Sequence, residues 1–146
     1  MIYDNEMTLN FRAVSTNEAF ARVAVAAFAL VLDPAVSEIT EIKTAVSEAV
    51  TNSIIHAYDS SEGIVHIWCG LKDNRLYIEI SDSGKGIDDV QTAMEPLFTT
   101  KPEQERSGLG FTIMQSFMDK MEVFSEKGKG TKVVMEKSVG VCENNG

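Results

Sequence analysis

One run of residues limits what this chain can become. From about Ala35 to Tyr58, the residues Ile39, Ile42, Val46, Val50, Ile54 and Ala57 recur at steps of three and four. That spacing predicts a long helix with one apolar stripe, and such a helix must lay its stripe on a core. Glu48 and Asn52 are four residues apart, hence neighbours on one face. At about 100° per residue, their face lies nearly opposite Val46 and Val50. A carboxylate and a carboxamide placed so are usually just a solvated surface, unless other stretches point to the same spot.

Ahead of this helix, Glu6 to Ala13 alternates, with Met7, Leu9, Phe11 and Ala13 on one side, which predicts a first strand. Ser15 followed by Glu18 matches a capping box and predicts a helix to about Leu32. Its expected buried stripe is Phe20, Val23, Ala27 and Leu30 or Val31. Asp33-Pro34 ends it, because the residue before proline avoids helical geometry. Arg22 is the one cation in this Ala-rich helix, a turn from Glu18. An exposed ion pair, worth about 0.3–0.5 kcal/mol, is the plain reading. A partner contact is the alternative, since Arg is enriched at interface hot spots.

Beyond the long helix, Asp59 to Gly63 reads as a loop, and Val65, Ile67, Cys69 and Leu71 alternate as a strand. Lys72-Asp73-Asn74 turns the chain into a returning strand with Leu76, Ile78 and Ile80 on its core face. Asp82 shares their parity, so a strand that persists this far points its carboxylate inward, where it needs a hydrogen-bonding partner. An Asx turn opening the next loop is the competing reading. Gly84 and Gly86 then allow the backbone to bend tightly against a ligand. From Asp88 to Ser107 periodicity is poor apart from a short helical turn at Asp89 to Met94; a long irregular stretch of this kind suggests a lid. Arg106-Ser107-Gly108-Leu109-Gly110-Phe111 is expected to open a helix carrying Ile113, Met114, Phe117 and Met118. Glycines at a helix start leave N–H groups aimed at an anion. Strands at about Met121 to Ser125 and Thr131 to Lys137, joined by Lys127-Gly128-Lys129-Gly130, close the domain, and the tail from Ser138 is expected to fray.

A length of 146 residues without internal repeats predicts one domain. The net charge of -9 argues against nucleic acid or an anionic membrane as a partner and suits a basic protein instead. Cys69 and Cys142 lie far apart without metal-ligand spacing, as expected of a reduced, cytoplasmic protein. The apolar run Val23 to Leu32 is too short to span a bilayer.

Four motifs thus stand in order: Glu48…Asn52, Asp82-x-Gly84-x-Gly86, Ser107-Gly108-Leu109-Gly110 and Gly130-Thr131. With them the chain resembles the GHKL superfamily of gyrase-type, chaperone and mismatch-repair ATPases and histidine kinases, over nearly its whole length. Leu97-Phe98-Thr99-Thr100-Lys101-Pro102-Glu103 and Glu105 to Met114 are similar to the bacterial anti-sigma-factor serine kinases of sporulation. Asn17-Glu18-x-Phe20-Ala21-Arg22-Val23 and Ser47 to Asn52 add to this likeness, and Ala57 departs from it where a glycine is expected. Neither a G-x-x-x-x-G-K-[ST] loop nor H-R-D and D-F-G pieces occur.

The resemblance implies an α+β fold: a two-layer sandwich of a mostly antiparallel sheet with helices on one face and an ATP lid. It implies ATP or ADP with Mg2+, the adenine amino group meeting Asp82 with Thr131 beside it, and Gly84 and Gly86 passing close to the nucleotide. Asn52 would hold the magnesium, for which one carboxamide oxygen suffices because the ion keeps its waters. The N–H groups of Ser107, Gly108, Leu109 and Gly110 would cradle phosphate oxygens, with Thr99, Thr100, Lys101 and Arg106 around them. Glu48 would act as general base. His56 drifts about 80° around the helix from Glu48 and reads as structural. By the same resemblance, the attacking hydroxyl belongs to a serine of an anti-anti-sigma protein. A homodimer would sequester a sporulation sigma factor, with ATP or ADP choosing between partners and Arg22 on the partner face. The alternatives are a general-stress anti-sigma kinase, an ATPase in which Glu48 activates water, a pure interaction module and a histidine-kinase domain.

Overall fold

The structure, a computed structural model, describes residues 2–57, 63–84 and 102–140, with the backbone alone at 56–57 and 102–109. The elements run β1 (Asn5–Arg12), α1 (Thr16–Ala29), a 3-10 turn (Leu30–Leu32), α2 (Val36–Asn52), a π-helical turn (Ser53–Ala57), β2 (Ile64–Lys72), β3 (Arg75–Asp82), α3 (Pro102–Phe117), β4 (Lys120–Glu126) and β5 (Gly130–Ser138). The strands form one sheet in the order β1-β2-β3-β5-β4, every neighbouring pair antiparallel. Alternation decides the layers. Val65, Ile67, Cys69, Leu71, Leu76, Ile78, Ile80, Val133 and Met135 point to one side and share a core with Val25, Ile42, Val46, Val50, Phe111 and Met114 of the helices. The result is the α+β sandwich expected: an antiparallel sheet with helices over one face. Asp73 and Asn74 take positive φ at the tip of the β2–β3 hairpin, as a two-residue connection demands.

Three expectations about the helices need correction. The buried side of α1 is Ala21, Val25, Ala26 and Ala29, whereas Phe20, Val23, Leu30 and Val31 are half or more exposed and Ala27 also faces solvent. α1 packs against α2 with its small residues turned into the shared core, which leaves the larger side chains outside. The capping box at Ser15 does not form; the Glu18 carboxylate pairs instead with Arg22 at 2.6 Å. Finally, α3 starts at Pro102, not at the glycines. Proline is suited to the first helical position and acidic residues to the positive end of the dipole, so the helix gains about one turn.

Buried charges tie the layers together. Lys137, almost fully buried, pairs with Glu41 of α2 at 2.9 Å and donates to the Phe117 carbonyl at the end of α3 at 2.8 Å. Glu38, in the first turn of α2, accepts from the Ala35 N–H at 2.8 Å and from the Gly140 N–H at 3.2 Å. Val139 is buried and its N–H donates to Asn74 at 2.8 Å, so the chain expected to fray from Ser138 is held through Gly140. Residues 141–146 lie outside the described residues, as does the helical turn expected at Asp89 to Met94.

Candidate nucleotide-binding site

The end of α2 brings the chemistry together. Its apolar stripe, with Ile42, Val46 and Val50 fully buried, rotates Glu48 and Asn52 toward α3, where both are partly buried. Against them lies Gly110. A methyl group there would sit 3.0 Å from Glu48 Oε1 and 3.5 Å from Asn52 Nδ2, so the glycine leaves room beside both side chains. Both polar atoms of the Asn52 carboxamide are buried and have no hydrogen-bond partner among the described residues. Such orphaned atoms cost free energy unless a ligand completes them. A carboxamide oxygen beside a carboxylate is a donor set that fits magnesium with its waters and a phosphate chain.

One residue on, α2 widens into the π-helical turn, where the Ser53 N–H is shared between the carbonyls of Ala49 and Val50. π-Turns of this kind occur often at functional sites. Here the turn sends the buried Ser53 hydroxyl across to the sheet, donating to Asp82 Oδ2 at 2.9 Å. Asp82 closes β3 and is buried, as its parity requires. Its Oδ1 accepts from the Gly84 N–H at 2.9 Å and from the Thr131 N–H at 3.3 Å. The Asx turn and the inward-facing carboxylate therefore coexist. Burial raises the Asp82 pKa above its ordinary value, and the three hydrogen bonds oppose that shift without cancelling it.

Thr131 stands opposite Asp82 in the β3–β5 ladder, and its hydroxyl meets Ser125 Oγ at 2.8 Å. Gly130, at φ 101°, passes so close that a Cβ there would lie 2.0 Å from the Asp82 carbonyl oxygen. Glu48, Asn52 and Gly110 thus form one cluster, and Asp82, Gly84 and Thr131 a second, joined by Ser53. Arg106, Ser107, Gly108 and Leu109 lie on the α3 backbone, inside the helix rather than at its start. Gly86, Thr99, Thr100 and Lys101 lie outside the described residues. Arg22 stands apart from both clusters, on a groove with Thr40, Lys43, Thr44 and Ser47 between α1 and α2. Sequence reasoning passed over Ser53; the one available signal was a hydroxyl residue directly after Asn52.

Residues 11–137 match the histidine kinase-like ATPase domain family. An anti-sigma F factor of Caldanaerobacter subterraneus is 59% identical over 140 residues, covering 96% of this chain and 98% of its own. Those of Clostridium kluyveri and Clostridium acetobutylicum are 55% and 54% identical, covering 93% and 97% of this chain and 96% and 99% of their own. Among solved structures, the RsbU and RsbW domains of a Mycobacterium tuberculosis protein superpose with a TM-score of 0.66 at 16% identity, covering 92% of this chain; the chain spans 32% of that protein. The catalytic domain of the histidine kinase ThkA superposes with a TM-score of 0.59 at 18% identity, with 91% and 96% of the two chains covered. At those identities the likeness concerns the fold.

Proposed function

The chain belongs to the histidine kinase-like ATPase family and, within it, to the anti-sigma F factors; from that premise we propose that it is a Mg-ATP-dependent protein-serine kinase that also sequesters a sporulation sigma factor. Its kinase substrate is an anti-anti-sigma protein. The observation that carries this reading is the unpartnered, buried Asn52 amide beside Glu48, with Gly110 holding space open over both.

Each side chain then has a task. Asp82 accepts from the adenine amino group, Gly84 and Gly86 are assigned to the close approach of backbone to the nucleotide, and Thr131 flanks Asp82. Asn52 would hold a magnesium ion, which would supply charge compensation for the phosphates. Glu48 takes the proton from the serine hydroxyl as its oxygen attacks the γ-phosphorus, while the bond to the β-phosphate oxygen breaks and ADP leaves. Donation to phosphate by the N–H groups of Ser107 to Gly110 requires the first turns of α3 to unwind, because helical geometry directs those groups at carbonyls four residues earlier. Thr99, Thr100, Lys101 and Arg106 are assigned to the same phosphates.

Nucleotide state selects the partner: ATP favours the sigma complex, ADP the complex with unphosphorylated anti-anti-sigma protein. Arg22 is assigned to partner capture. The exposed apolar residues Phe20 and Val23 of α1 and Leu30 and Val31 of the 3-10 turn after it support a homodimer, since a second copy would cover them. No helix among the described residues is long and apolar enough to cross a membrane. Incubation with γ-labelled ATP and candidate anti-anti-sigma proteins tests the proposal: label should appear on one serine of the partner. Label found only as free phosphate would assign the chain to ATP hydrolysis instead.

A further inference from the structure

Asp82 is the sole carboxylate the reading above assigns to the base, and its surroundings define how it can serve. An ionised carboxylate offers about four acceptor positions, two on each oxygen. Both positions on Oδ1 are taken, by the N–H groups of Gly84 and Thr131. On Oδ2, one is taken by Ser53 Oγ at 2.9 Å. Among the described residues one acceptor position remains, on Oδ2, and the hydroxyl bound to that same oxygen decides where it points.

The Ser53 contact is not an incidental helix feature. Serine within a helix commonly bonds back to the carbonyl four residues earlier; here its hydroxyl spans 29 residues of sequence to reach β3, and it does so from the π-helical turn. Both partners are shielded from water, Ser53 at 5% and Asp82 at 8% exposure. Water therefore does not readily replace the hydroxyl, and its removal leaves Oδ2 short of a donor in an apolar setting.

We propose that Ser53 is a specificity-determining positioning residue, clamping Asp82 so that its last acceptor position meets the exocyclic amino group of adenine. The inference rests on the assignment of Asp82 to adenine. Guanine presents a carbonyl at the same place, which repels an ionised carboxylate, so the clamp selects for the adenine nucleotide. Loss of the hydroxyl frees the carboxyl group to rotate or to hold a proton, and either change weakens recognition of the amino group alone.

The test compares Mg-ATP with purine riboside triphosphate, which lacks only the 6-amino group, by titration calorimetry on the wild type and Ser53→Ala. One charge-assisted hydrogen bond corresponds to about a tenfold preference or more for ATP in the wild type. In Ser53→Ala that preference should fall to within about threefold, with affinity for the amino-free nucleotide changed less than about twofold. A merely structural role weakens both nucleotides equally and leaves the preference intact, which overturns the inference. Thermal melting of the variant identifies a folding defect, and Ser53→Cys, which keeps the shape with a weak donor, should give an intermediate preference. A variant Ser53→Cys that matches Ser53→Ala in melting yet keeps the full wild-type preference also overturns it. A wild type that binds both nucleotides equally overturns the adenine assignment itself, a different result from an unaltered preference in the variant.

Discussion

Gly110→Ala separates the stability of this fold from its activity. Within α3, alanine in place of glycine favours the helix by about 0.8–1.0 kcal/mol. The added methyl would lie 3.0 Å from Glu48 Oε1 and 3.5 and 3.6 Å from the Asn52 amide atoms. Only the first of these is tighter than ordinary contact, and it falls on the tip of a flexible side chain that shifts at small cost. The net expectation is a more stable protein, with Tm raised by about 2–4 °C for a chain of this size. The same methyl fills the room beside Glu48 and Asn52, and the stiffened helix opposes the unwinding proposed for phosphate binding. A displacement of several tenths of an ångström to one ångström at the base is enough to reduce phosphate transfer by about 10²-fold. Differential scanning calorimetry and a labelled-ATP transfer assay on the same preparation check both halves. A variant that melts lower and transfers normally would refute the reasoning on both counts, since glycine would then be neither helical nor spacing the site.

Three further outcomes follow from named contacts. Glu48→Gln should lower transfer to the anti-anti-sigma serine by about 10²–10⁴-fold while ATP affinity stays within a few-fold, the signature of a lost base; normal turnover removes Glu48 from the chemistry. For Asp82, burial raises the folded-state pKa, so its contribution to stability is fully present below the ordinary carboxylate pKa and declines as pH rises through the raised value. Asp82→Asn, which cannot ionise, should therefore melt no lower than the wild type at pH 7, lose that advantage in acid and bind ATP far more weakly; a large drop in Tm at pH 7 means its hydrogen bonds outweigh desolvation. Arg22→Ala breaks a partly exposed pair with Glu18, so it should change stability by about 1 kcal/mol or less and leave ATP affinity alone while weakening partner capture in a pull-down; unaltered capture leaves Arg22 as a structural ion pair.

Much of the site was legible because covalent geometry repeats along an element. Four-residue spacing places Glu48 beside Asn52 in any helix, and strand alternation turns Asp82 inward with Ile78 and Ile80 whatever else happens. Turn residues likewise marked the hairpin at Asp73-Asn74. The errors arose where two elements had to be weighed against each other. α1 carries apolar residues on more than one side, and its own periodicity does not say whether the alanine face or the Phe20–Val23 face is covered. That was decided by the packing of α1 against α2, which buries Ala21, Val25, Ala26 and Ala29. Nor did the glycines of α3 stop the helix, because a good N-terminal turn at Pro102 and the packing of Phe111 and Met114 outweigh their weak propensity.

By itself, then, the sequence determined the strands, the long helix, the pairing of Glu48 with Asn52 and the inward aim of Asp82. Only the tertiary structure decided which side of α1 is buried, that Gly110 rests on Glu48 and Asn52, and that Ser53 and Thr131 share Asp82 from 29 and 49 residues away. Periodicity fixes directions within one element, whereas the distance between two elements depends on how all the side chains between them pack.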